Sequence, residues 1–303
     1  MFGFLVIDKS RGLSSRTALN PLTKLFRPAK VGHAGTLDPL ATGVLVACIG
    51  PATRLVGYVQ QLPKKYSATF RLGFESETED IDSELVPVAG AATVNQHLLE
   101  SLLPQFIGTI IQQPPQFSAL RVQGKRAYDL ARQGKIFELQ PRTIEIFSLK
   151  LSRFAEPEFE LEIECGSGTY VRSLGRDIGR ALGSGAVMTA LVRTAIGKFT
   201  IQQAQDVSAG IFQPGSTELE DVLIPPTLGL SDMPRVTLSS AQVSGLSNAI
   251  PIIIEHAIGS TEVVGLDESG RLIAILRRLP DGTHSPAINF AGYWQQRSVS
   301  NIN

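Results

Sequence analysis

The chain has 303 residues, 43% of them hydrophobic, enough for a full-sized core and more than one folding unit. Its 28 Lys and Arg balance 28 Asp and Glu, so the net charge is zero. That balance excludes a protein held on nucleic acid by bulk charge alone, and it leaves room for a local basic groove.

Phe2 to Ile7 reads as a strand, followed by a turn at Gly12. Ser14 or Ser15 can cap a helix running to about Phe26, kinked at Pro21. Gly32 to Pro39 reads as a glycine-rich loop and Val44 to Ile49 as a fully buried strand. Tyr66 to Leu72 alternates, with Tyr66, Ala68, Phe70 and Leu72 on one face. A helix over Val94 to Leu103 and strands over Phe106 to Gln112 and Phe117 to Val122 follow. Arg126 to Gln133 reads as a helix closed by Gly134, and Ile144 to Leu151 and Glu158 to Cys165 as strands. Tyr170 to Leu182 is an amphipathic helix with Val171, Leu174, Ile178 and Leu182 toward the core. Arg172, Arg176 and Arg180 form one basic stripe on it, with Arg176 and Arg180 toward solvent or phosphate.

The pattern weakens from Gln202 to about Pro234. Beyond it come a helix over Val236 to Ala249 and small strands at Val263 to Leu266, Leu272 to Leu276 and Ala287 to Phe290. The expected architecture is α+β, a large mixed and mostly antiparallel sheet flanked by helices, spanning residues 1–230. A small β-rich module occupies 231–303.

Two cysteines in buried-strand patterns, Cys48 and Cys165, read as reduced core thiols. The histidines His33, His97, His256 and His284 lack ligand spacing, so no metal is expected. Apolar runs are too short for a signal peptide or a membrane span, which points to a soluble chain of the cytoplasm.

The stretch Gly32-His33-Ala34-Gly35-Thr36-Leu37-Asp38-Pro39-Leu40-Ala41-Thr42-Gly43 carries the chemistry. It sets a single carboxylate, Asp38, on a loop just before a buried strand, which would hold a nucleophile still. Taken alone, Asp38 could equally bond its own turn. Other catalytic patterns fail on spacing. No Gly-x-x-x-x-Gly-Lys-Ser/Thr loop or Gly-x-Ser-x-Gly elbow occurs. Gly166-Ser167-Gly168-Thr169-Tyr170-Val171 has Val171 where a dinucleotide fingerprint needs its third glycine.

Several blocks decide between these readings: Asp8-Lys9-Ser10-Arg11-Gly12-Leu13-Ser14-Ser15, Gly32 to Gly50, and Lys65-Tyr66 with Leu72-Gly73. They continue with Pro114-Pro115-Gln116-Phe117-Ser118-Ala119 through Gly124 and Tyr128, Gly168-Thr169-Tyr170-Val171-Arg172-Ser173-Leu174, and Leu191-Val192-Arg193-Thr194. In this order they resemble the TruB-type tRNA pseudouridine synthases. The resemblance implies the pseudouridine synthase fold and an isomerase that turns uridine 55 in the tRNA T loop into pseudouridine. Asp38 would attack either the ribose or the uracil ring. Arg172 would orient Asp38 and favour its charged form. Tyr66 would stack on the base, His33 would fill the space left by the flipped nucleotide, and Tyr170 and Leu191 would line the pocket. Asp80 matches a position near this network, although its acidic run also suits a solvated role. No cofactor is needed.

Arg121, Lys125, Arg126, Arg132 and Lys135, against the single acid Asp129, form a patch suited to RNA phosphates. The tail module resembles a PUA-type RNA-binding domain. The implied partner is the T arm of tRNA, bound by a monomer. A reading from another class is an RNA-folding chaperone that remodels tRNA without isomerising it.

Overall fold

A computed structural model describes residues 1–118, 120–122, 124–205, 218–254 and 261–300 of the chain. Eight longer strands build the main sheet: β1 (Gly3–Lys9), β2 (Val31–Ala34), β3 (Thr42–Ile49), β4 (Lys64–Leu72), β5 (Gly108–Gln112), β6 (Arg142–Ala155), β7 (Glu158–Cys165) and β8 (Ala186–Ile196). Their order is β1-β3-β8-β4-β7-β6-β5, with β2 beside β3 and Phe199–Thr200 completing nine strands. Only the β8–β3 pairing is parallel. The mixed, mostly antiparallel sheet expected from the sequence is present.

The two halves of the sheet differ in burial, and the sequence pattern follows. Strand β3 reads as one apolar run because both its faces are covered. Leu45, Ala47 and Ile49 pack with Leu19, Leu22 and Phe26, which lie in and at the ends of the helical pair Ser15–Ala18 and Asn20–Leu25. Val44, Val46 and Cys48 pack on the other face with Phe4, Val59 and Phe199. Strand β7 alternates because one face meets solvent. Phe159, Leu161, Ile163 and Cys165 join the core beneath the helix Val171–Ala181. On the outer face, Glu158 pairs with Arg71 and Glu164 with Lys65. Gly175 lets this helix lie on the sheet, since a Cβ there would overlap the Phe70 ring. Burial of Val171, Leu174, Ile178 and Leu182 contributes about 1.5–3 kcal/mol per side chain.

Several sequence expectations need correction. The helix after Ser14 is two short helices rather than one kinked helix; Ser14 caps the first by accepting from Thr17 N, and Pro21 lies in the first turn of the second. Part of the supposed loop at Gly32 is β2, paired with β3 from Val31 to Ala34. Among the described residues the strand expected over 117–122 is limited to Arg121–Val122, which pair with Lys125–Arg126, while Ala119 and Gln123 lie outside the described residues. The stretch from Val236 begins as a strand, and its helix is limited to Ser240–Ser247 by a Ser239–Gln242 capping box. Strand β8 and a final helix, Ala291–Ser300, were not anticipated.

Strands β9 (Arg235–Thr237), β10 (Glu262–Leu266), β11 (Leu272–Arg278) and β12 (His284–Asn289) form a second sheet in that order. It packs on the main body through one shared cluster, in which Val264, Leu272, Ile275 and Phe290 meet Phe2, Phe4 and Val59. Tyr58 donates to Glu262 at 2.8 Å and Arg54 donates to the Asn289 carbonyl at 2.7 Å across the same junction. His256 lies outside the described residues.

Candidate active site

The site forms where four strands from separate parts of the sequence meet. Lys9 faces Gly43, Gly43 faces Arg193, and Arg193 faces Tyr66, so one row of residues crosses β1, β3, β8 and β4. The loop between β2 and β3 rises from this row and carries Asp38. Gly43 has φ +96° and no room for a Cβ against the Arg193 backbone, which fixes where the loop rejoins the sheet.

Two buried cations hold the loop from below. Arg193 donates from Nε to the Val44 carbonyl at 2.8 Å and from Nη2 to the Gly35 carbonyl at 3.1 Å. Lys9 donates from Nζ to the carbonyls of Leu13 at 2.8 Å, Ser10 at 3.0 Å and Pro39 at 3.4 Å. Neither makes an ion pair among the described residues. Burial lowers the Lys9 pKa, partly offset by the nearby Asp38 charge. Both residues stand in the quoted blocks, yet neither was singled out; a buried cation bonded to loop carbonyls has no signal in local periodicity.

Asp38 is 37% exposed and its Oδ2 lies 2.9 Å from Nε of Arg172, which is 5% exposed. Arg172 reaches the loop from the Val171–Ala181 helix. It also donates from Nη1 to the Thr78 carbonyl at 2.7 Å and from Nη2 to the Phe117 carbonyl at 3.0 Å. The planar fork thus joins three separate segments around one carboxylate. Asp80 stands behind it, Oδ2 3.7 Å from the same Nε, and is buried rather than solvated. Burial raises the Asp80 pKa, against the lowering effect of its bond from Thr78.

Asp38, Tyr66, Tyr170, Arg172 and Leu191 line one cavity of about 220 Å³, together with Thr36, Leu37, Ser118 and Thr169. The space suits a single ring system rather than an extended ligand. Burial raises the Tyr66 pKa, so its phenol is neutral at pH 7. Tyr170 is clamped by the buried Gln112, which accepts from its N–H at 2.9 Å and donates to its carbonyl at 3.0 Å. Arg142 lies over the Tyr170 ring at 5.1 Å, a contact the sequence did not suggest. His33 sits on β2, outside this lining, with its pKa lowered chiefly by burial.

Arg176 does not face solvent as the helix stripe implied. It is buried and paired with Glu79 and Asp177. Arg180 is exposed and lies 3.5 Å from Glu75. The basic residues Arg121, Lys125, Arg126 and Arg132 are off the cavity, on the hairpin and the helix Ala127–Arg132. Arg126 and Arg132 both lie over the Tyr128 ring, at 5.8 and 5.6 Å. This element is tied to the site: Tyr128 N donates to the carbonyl of Ser118, whose neighbour Phe117 is held by Arg172. Cys48 and Cys165 are buried and free, their thiols pushed up to about 12 and about 11. Among the described residues no cluster of metal-ligating side chains occurs, and no helix is long and apolar enough to cross a membrane.

Residues 23–171 match the family model described as TruB family pseudouridylate synthase (N terminal domain), and residues 172–228 match the tRNA pseudouridylate synthase B C-terminal domain. A tRNA pseudouridine synthase B of Dehalococcoides mccartyi is 36% identical over 95% of this chain and 96% of its own length. One from Mycobacterium bovis is 37% identical over 94% and 95%. A chain in the crystal structure of a Cbf5-Nop10-Gar1 complex superposes with a TM-score of 0.71 at 24% identity, covering 92% of this chain and 78% of that one, which bears on the fold.

Proposed function

The chain belongs to the TruB family of pseudouridylate synthases, and on that premise we propose that it converts a tRNA uridine to pseudouridine with Asp38 as nucleophile. The target is the T-loop uridine at position 55. The observation that carries this reading is the ion pair of Asp38 with Arg172 inside a cavity for one ring, flanked by Tyr66, Tyr170 and Leu191.

The reaction needs the uridine out of its stack, at a cost of about a few kcal/mol. Asp38 adds either to the ribose anomeric carbon or to the uracil ring. The C1′–N1 bond breaks, the base turns in the cavity, and C1′ bonds to C5. The C5 proton leaves, N1 gains one, and the carboxylate is regenerated. No electron leaves the system, so the residues need no cofactor. Arg172 aims Asp38, Tyr66 stacks on the base and its phenol relays the C5 proton, accepting it on oxygen as its own proton passes to water, and Tyr170 and Leu191 confine the turning ring. Asp80 sets Arg172 from behind. His33 supports the RNA next to the vacated stack.

Arg121, Lys125, Arg126 and Arg132 contact RNA phosphates, and the small C-terminal sheet is a PUA-like module that extends the RNA surface. The protein acts as a monomer in the cytoplasm. Mapping the altered nucleotide in unmodified tRNA after incubation tests the assignment. Pseudouridine at the T-loop uridine alone is expected; alteration at another uridine, or none, would overturn it.

A further inference from the structure

We propose that a second RNA-binding surface, formed by Arg11, Arg16, Lys24, Arg27 and Lys30, grips the phosphate backbone beside the target nucleotide. This rests on the tRNA reading above and adds to the hairpin patch at Arg121–Arg132. Between Asp8 and Asp38 the sequence holds no carboxylate. All five side chains are exposed. None makes an ion pair among the described residues. Three cations elsewhere, Lys65 and Arg71 on the outer sheet face and Arg277 in the C-terminal sheet, are by contrast each matched to a glutamate. In a chain of zero net charge, five unmatched cations in 20 consecutive residues make a segregated positive potential.

Their placement ties that potential to the chemistry. Gly12 N donates to the Pro39 carbonyl at 2.7 Å. The Ser15 hydroxyl accepts from Leu37 N at 2.8 Å and donates to the Leu37 carbonyl at 3.1 Å. Arg11 and Arg16 are therefore each one residue from a contact with an immediate neighbour of Asp38. The helices beneath them cannot roll away, because Leu19, Leu22 and Phe26 are locked against Leu5, Leu45 and Ala47. On this proposal a phosphate chain leading to a nucleotide at Asp38 runs past Arg11 and Arg16 first, and Lys24, Arg27 and Lys30 extend the positive charge along the following segment. Lysine and arginine in such a place act through counterion release, which gives the surface a measurable signature.

The test compares tRNA binding across a salt series for the wild type, R11Q/R16Q, K24Q/R27Q/K30Q, and R71Q/R153Q as a control of equal charge loss on the outer sheet face. Each phosphate contact removed lowers the slope of log K against log salt by about 0.7–0.9. The double variant should lose about 1.6 and the triple variant about 2.4 in slope. Thermal unfolding midpoints should stay at the wild-type value, and the control should keep the wild-type slope. Unchanged slopes in both N-terminal variants, or an equal drop in the control, would overturn the surface. Wild-type protein that neither binds tRNA nor releases tritium from C5-labelled uridine would instead remove the underlying tRNA reading.

Discussion

Replacing Arg172 separates its structural duties from its chemical one. Arg172→Met removes charge-assisted bonds to the Thr78 and Phe117 carbonyls, each worth about 1.5–3 kcal/mol. It also strands the buried Asp80 carboxylate 3.7 Å from where the guanidinium was. A folding loss of about 3–5 kcal/mol follows, the range for breaking a buried pair from one side. The Asp38 contact adds little to that sum, because Asp38 is 37% exposed and water screens it. Its effect is on rate: a nucleophile no longer aimed should cost about 10²-fold or more in turnover. Arg172→Lys keeps the charge without the fork, so it should fold better than the methionine variant and still turn over slowly. Single-turnover tritium release at saturating tRNA, with affinity measured separately, reads the two apart. Rate should collapse while affinity changes by no more than a few-fold. Equal losses in rate and affinity would identify Arg172 as a phosphate contact and refute the reasoning.

Tyr66→Phe should keep tRNA affinity while slowing tritium release by about 10²-fold, whereas Tyr66→Ala should lose both; a phenylalanine variant with normal rate would take the phenol out of proton transfer. Replacing Arg121, Lys125, Arg126 and Arg132 together by glutamine should reduce the salt slope of tRNA binding by about 3, read in the same salt series. Lys64 is buried, and its pKa is pushed down to about 8 from 10.5. Between those values the unfolded chain binds the proton and the folded chain does not, so stability rises with pH across about 8 to 10.5. Lys64→Met should therefore exceed the wild type in stability at pH 7 by up to about 3 kcal/mol, and denaturant unfolding should show the gap closing as pH passes 8.

Much of this molecule was legible in its residues, for identifiable reasons. Strand β7 matched from end to end because one of its faces is dry and the other wet, so Phe159 to Cys165 keep a period of two. The Val171–Ala181 helix was equally clear from Val171, Leu174, Ile178 and Leu182. Strand β8 was missed because its pairing with β4 shifts register after Met188 and again after Arg193, and because a buried arginine interrupts the apolar pattern. Arg176 was misread since helical periodicity places it on the stripe with Arg180; Glu79, at φ +62°, comes across from a distant loop to cover it. The same fold of that loop buries Asp80, whose acidic neighbours had suggested solvent. After Pro114 and Pro115, Phe117, Ser118 and Leu120 follow no regular element and are held through the Phe117 carbonyl by Arg172 and through the Ser118 and Leu120 carbonyls by the N–H groups of Tyr128 and Ala127. Local patterning reports faces and turns, while these misses all depend on partners dozens of residues away.

Whether one carboxylate does the work is decided by tritium release from C5-labelled uridine in unmodified tRNA, comparing the wild type with Asp38→Asn at matched occupancy. Asparagine preserves shape and removes the charge. Release at the wild-type level must disappear while the tRNA still binds. Continued release by the asparagine variant would contradict the assignment of Asp38 as nucleophile.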